Sequence, residues 1–153
     1  MLALVMIPSL FLASQVTPVA YGSNTGLVCI TFPSTLTSCP SSPPTIGPLT
    51  VGQTFTVGVF INGSSAMGGF DIYVAANPAY LIPTGAMLGP LIASPSLTSI
   101  CVNGSAQNGA CTVGTANGPG VVEVSTIESS GANECGNVSP CSGLAFTTAF
   151  RGE

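Results

Sequence analysis

The sequence has no tryptophan, no histidine and no lysine, and its single cation is Arg151. Charged residues fill only 4% of the 153 positions, against about 25% in an ordinary soluble domain. The acids are Asp71, Glu123, Glu128, Glu134 and Glu153. Each shortage removes a class of function. Nucleic-acid binding needs cations to neutralise phosphates, and attraction to anionic lipid needs them as well. One arginine supplies neither. Without histidine or lysine the usual general bases and amine nucleophiles are missing. Structural zinc would want CxxC pairs or cysteine with histidine, and calcium a tight run of oxygen ligands. Neither pattern occurs, so no metal, no cofactor and no catalytic residue is expected.

Long apolar runs are also scarce. Mean hydropathy is high, at +0.63. Past residue 20, however, no stretch approaches the roughly 18–20 apolar residues that span a bilayer. Glycine, proline, serine, threonine and asparagine interrupt every apolar segment. No membrane span is expected in the mature chain.

What is present points outside the cell. Residues 1–13 (MLALVMIPSLFLA) are apolar and small or polar residues follow, the pattern of a secretory signal peptide over 1–22. Six cysteines follow at 29, 39, 101, 111, 135 and 141. Their spacings bracket turn-forming loops, which predicts the pairs Cys29–Cys39, Cys101–Cys111 and Cys135–Cys141. Loops this short stabilise by about 2–3 kcal/mol each in the chain-entropy account, and they imply an oxidising compartment. Three Asn-x-Ser tripeptides make Asn62, Asn103 and Asn137 candidate N-glycosylation sites. Each also reads as a plain turn.

The remaining pattern is that of strands. Residues 33–48 (PSTLTSCPSSPPTIGP) are too rich in proline for a sheet centre and read as an ordered loop. Thereafter the period becomes two. In residues 53–61, Phe55, Val57, Val59 and Ile61 share one face, with Thr54, Thr56 and Gly58 opposite. Residues 69–75 place Phe70, Ile72 and Val74 inward and Asp71 and Tyr73 outward. Residues 80–82 resume apolar, and a short strand is expected over 99–102. Residues 120–127 put Val122 and Val124 inward and Glu123 outward. Residues 143–150 put Leu144, Phe146, Thr148 and Phe150 on one face. No helical stripe with caps appears. The expected fold is an all-β antiparallel sandwich, with 23–48 as a leader carrying the first strand and a disulfide loop, and 49–153 as the domain proper. Ending directly after a strong strand, the chain is expected to leave a sheet edge unpaired there.

Three pieces of residues 49–150 carry a family resemblance. They are Val51-Gly52-Gln53-Thr54-Phe55-Thr56-Val57, then Gly68-Gly69-Phe70-Asp71-Ile72-Tyr73-Val74 followed by Asn77-Pro78-Ala79-Tyr80-Leu81, then Ser142-Gly143-Leu144-Ala145-Phe146-Thr147-Thr148-Ala149-Phe150. In order and spacing these resemble cohesin-like domains, relatives of the sandwich carbohydrate-binding modules. The resemblance implies a nine-strand jelly-roll-like sandwich whose last strand lies beyond Glu153. It also implies a non-catalytic binding role at a cell surface.

The expectation is an extracellular adhesion or scaffold module that engages a protein or polysaccharide. Phe60, Asp71 and Tyr73 are the candidate partner surface, because they fall at outward strand positions. Glu123 and its neighbours read as solvated carboxylates rather than a catalytic pair. Two alternatives share the same features: a filament or surface-layer subunit self-assembled by strand complementation, and an accessory domain of a polysaccharide-degrading enzyme.

Overall fold

The computed structural model describes residues 26–64, 67–91, 95–111, 117–127 and 140–153. The expected signal segment, Asn137 and Cys135 lie outside them. The described residues form eight strands: β1 Leu27–Thr31, β2 Thr54–Ser64, β3 Gly69–Ala75, β4 Leu81–Leu88, β5 Leu97–Val102, β6 Ser105–Asn108, β7 Val121–Ile127 and β8 Cys141–Gly152. They form two four-stranded antiparallel sheets, ordered β1-β2-β8-β4 and β3-β7-β5-β6. The fold is an all-β sandwich.

The alternating strands bury their apolar faces against each other. Val59, Ile61, Ala86, Ala145 and Phe146 from the first sheet meet Ile100, Val122 and Val124 from the second, with Phe70, Ile72 and Val74 packed alongside. The Phe70 and Phe146 rings stack across the sheets at 6.4 Å. At one end Phe32, Phe55 and Phe150 form an aromatic row, at 6.4 and 5.7 Å. A deleted Phe146 ring would cost about 3–5 kcal/mol, the usual range for an aromatic truncated in a core.

Three expectations change. First, β8 is an interior strand, flanked by β2 and β4, so the last strand leaves no open edge of its own. Among the described residues the edges are β1 and β4 in one sheet and β3 and β6 in the other. Second, Leu144 does not share the face of Phe146. Val59 pairs with Phe146 and Phe60 with Leu144, so Ala145 is an extra residue on β8. This bulge turns Leu144 to the opposite face, where it stands beside Gly58. Third, β4 runs on through Pro83 and Gly85. Proline is tolerated because β4 is an edge strand and shifts register at that point.

The proline-rich leader has a definite place. It lies on the outer face of the first sheet, over Gly58, Phe60 and Leu144. A Cβ at Gly58 would stand 2.5 Å from Thr31 Oγ1, 2.8 Å from Leu144 Cδ1 and 3.1 Å from the Ser34 carbonyl. Only glycine admits so close an approach. The Cys29–Cys39 disulfide, with Cα atoms 5.8 Å apart, ties the leader back to β1.

Candidate functional site

The outer face of the second sheet carries a chemically mixed surface, and strand register explains its order. Tyr73, Glu123 and Cys101 lie in one cross-strand row, because Tyr73 pairs with Glu123 and Glu123 with Cys101. Asp71, Ser125 and Ser99 form the next row, and Gly69, Ile127 and Leu97 the third. Successive outward positions on a strand are two residues apart, so the spacing Asp71–Tyr73 on β3 alone brings these two side chains to one face. Their partner Glu123 comes from β7.

Tyr73 joins the two carboxyls. Its Oη lies 2.8 Å from Glu123 Oε1 and 3.2 Å from Asp71 Oδ2, and donates to each. A phenol has one proton, so it serves one acceptor at a time, and the shorter contact favours Glu123. Glu123 is only 1% exposed, whereas Tyr73 is 40% exposed and Asp71 is exposed. Glu123 thus lies beneath the surface and holds the tyrosine from below. Partial burial pushes the Asp71 carboxyl above its ordinary value of 3.8, and the adjacent negative Glu123 and its hydrogen bond push it the same way, with the Tyr73 hydroxyl opposing. At its far end the face turns apolar: Leu97 is 65% and Ile127 52% exposed. They border a shallow groove of about 270 Å³ that also includes Ser99, Ala110 and Ser125.

Two corrections to the expected surface follow. Glu123 does face outward from its sheet, but it is not a solvated carboxylate. Phe60 lies on an outer sheet face, yet it is 5% exposed, because the leader covers it. Phe60, Ser142 and Leu144 instead line a cavity of about 360 Å³ beneath Ser34, Thr35 and Thr37. Phe60 therefore does not join Asp71 and Tyr73, which lie on the other sheet. Glu123 was missed as a member of the cluster because only the β3–β7 register places it there.

The other predicted positions are distinct. Cys101 and Cys111 are bonded, with Cα atoms 5.5 Å apart. Cys141 is buried and disulfide-bonded, and its expected partner Cys135 lies outside the described residues. Asn62 is exposed and its Oδ1 accepts from Ser142 Oγ at 3.2 Å. Asn103 has a positive φ of 53°. Its Nδ2 donates to the Pro83 carbonyl at 2.8 Å and its Oδ1 accepts from Gly120 N–H at 2.8 Å. The amide nitrogen of Asn103 is therefore used within the fold.

Among the described residues no group of three or more His, Cys, Asp or Glu side chains is placed to hold a metal ion, and no helix is long and apolar enough to cross a membrane. The Cys29–Cys39 and Cys101–Cys111 disulfides are consistent with an extracellular protein. Comparison of the chain with protein-family models, curated proteins and solved structures gives no match.

Proposed function

We propose that this chain is a non-catalytic, secreted binding or adhesion module of cohesin-like character. It engages a polysaccharide or protein through the outer face of its second sheet. The observation that carries this reading is the arrangement of Asp71, Tyr73 and Glu123. A buried carboxylate fixes a half-exposed tyrosine beside an exposed carboxyl, so an aromatic edge and a hydrogen-bond acceptor are presented in set positions next to the apolar Leu97–Ile127 row. Ordering a ligand on a rigid sheet costs less than ordering it on a loop. Against catalysis stands the burial of Glu123, which keeps that carboxylate from approaching a glycosidic oxygen as an acid or nucleophile must.

The test compares wild type with Tyr73→Ala and Asp71→Ala for binding to an array of neutral polysaccharides and extracellular proteins. Ligand captured by the wild type should bind each variant at least about tenfold more weakly, about 1.4 kcal/mol. Unchanged binding by both variants refutes the assignment to this face.

A second reading has its own support. β1 is an edge strand with Leu27 53% and Val28 52% exposed and no charged residue, features that favour strand addition. A filament or surface-layer subunit would use this edge. Formation of polymers by the purified chain, lost on placing lysine at Val28, distinguishes it from the monomeric binding module.

A further inference from the structure

Edge strands with free backbone groups invite pairing with another chain. β4 is such an edge in the first sheet, and it is occupied by side chains from the second sheet. Ala86 N–H donates to Gln107 Oε1 at 3.0 Å, and Gln107 Nε2 donates to the Ala86 carbonyl at 2.8 Å. One carboxamide therefore makes the two hydrogen bonds that a neighbouring strand residue would make. Three residues earlier along β4, Asn103 Nδ2 donates to the Pro83 carbonyl at 2.8 Å. Pro83 itself has no N–H to offer a further strand.

Both amides belong to one hairpin. β5 and β6 are joined by Asn103-Gly104, with φ of 53° and 78°, the positive pair that a tight two-residue hairpin requires. The pairing then slips: Cys101 faces Ala106, whereas Ile100 faces Asn108. Gln107 is the extra residue. A bulge of this kind re-aims a side chain out of its own ladder, and here the side chain reaches β4. The Cys101–Cys111 disulfide closes the same hairpin at its base.

We propose that the hairpin closed by Cys101 and Cys111 is an edge plug, which blocks β4 from pairing with the β4 strand of a second copy of this chain. The occupant excluded is a second copy because the strand it would offer carries no charged residue. Apart from the missing N–H of Pro83, the strand carries nothing that opposes antiparallel self-pairing over residues 85–88. Met87, which is 70% exposed, would add apolar contact to such a pair.

The test uses the disulfide-intact protein and the variants Gln107→Ala and Ser105→Ala, the second altering the same exposed hairpin without touching β4. Two quantities are read: hydrogen exchange at the Ala86 amide, and molar mass by light scattering over a concentration series. Gln107 is exposed, so its loss should leave the circular dichroism unchanged. In Gln107→Ala the Ala86 amide should exchange about five- to tenfold faster, the usual worth of one hydrogen bond, and the mass should rise towards that of a dimer as concentration increases. Ser105→Ala should match wild type in both. The proposal is overturned if Ala86 exchanges at the wild-type rate in Gln107→Ala, or if it exchanges faster while the protein stays monomeric throughout.

Discussion

Replacing Asn103 tests how the two sheets are tied at the β4 edge. Three effects add. The side chain makes two hydrogen bonds, to the Pro83 carbonyl and from Gly120 N–H, both at 2.8 Å, each worth about 1 kcal/mol net. The backbone stands at φ 53°, a left-handed conformation that asparagine tolerates and alanine pays about 1 kcal/mol or more to adopt. Asn103→Ala should therefore lower stability by about 3 kcal/mol. Asn103→Gly loses the same bonds but adopts this φ freely, so it should cost about 2 kcal/mol. The assay is urea unfolding with the disulfides intact. In thermal unfolding the alanine variant should melt about 10 °C lower for a chain of this size. If both variants lie within about 0.5 kcal/mol of wild type, the scale of an ordinary surface substitution, Asn103 is not a tie. If they are equally destabilised, the backbone contribution is wrong.

Three further outcomes are expected. Gly58→Ala should destabilise by about 1–3 kcal/mol by overpacking, because the new methyl meets Thr31, Leu144 and the leader; an unchanged urea midpoint would show that the leader does not sit on this face. Asp71 has a folded-state pKa raised above 3.8, so the folded chain binds the proton more tightly than the unfolded chain. Its contribution is therefore most favourable at low pH, and stability should fall as pH rises from 3.8 through the raised value. Asp71→Asn should flatten that part of a pH–stability curve by a small amount, reduced by solvent screening at this exposed site; a variant with the same slope as wild type shows that partial burial and the neighbouring Glu123 do not raise the Asp71 carboxyl. In a host that modifies Asn-x-Ser tripeptides, peptide mass spectrometry should find glycan at Asn62, which is exposed, and none at Asn103, whose amide nitrogen is bonded to the Pro83 carbonyl; the reverse occupancy contradicts the structure.

Much of the sandwich could be read from alternation alone. β2, β3, β7 and β8 lie where the period-two pattern puts them, within a residue or a few at each end, because each buries one face on a common core. β4 and β6 were harder. Pro83 and Gly85 mask β4, and β6 is the polar run Ser105–Asn108, which has no apolar face to betray it. Bulges leave no mark in the pattern: Ala145 shifts Leu144 to the other face through pairing with the distant β2, and Gln107 leaves its ladder through a slip against its hairpin neighbour β5. Coverage is equally remote. Phe60 and Glu123 occupy outward positions and are nonetheless buried, because what lies over a sheet is decided by segments far away in sequence. Of the candidate site, Asp71 and Tyr73 were legible from their spacing on one strand, while Glu123 required the register of a second.

The central claim is that the outer face of the second sheet meets the partner. The most direct measurement is a hydrogen-exchange footprint of the purified protein, free and saturated with whichever ligand it captures from the array of polysaccharides and proteins. The account predicts that protection on binding concentrates in β3, β7 and the start of β5, around Asp71, Tyr73, Ile127 and Leu97, and spares β2 and the leader. Protection confined to β1, β2 and the leader, with β3 and β7 unchanged, would contradict it.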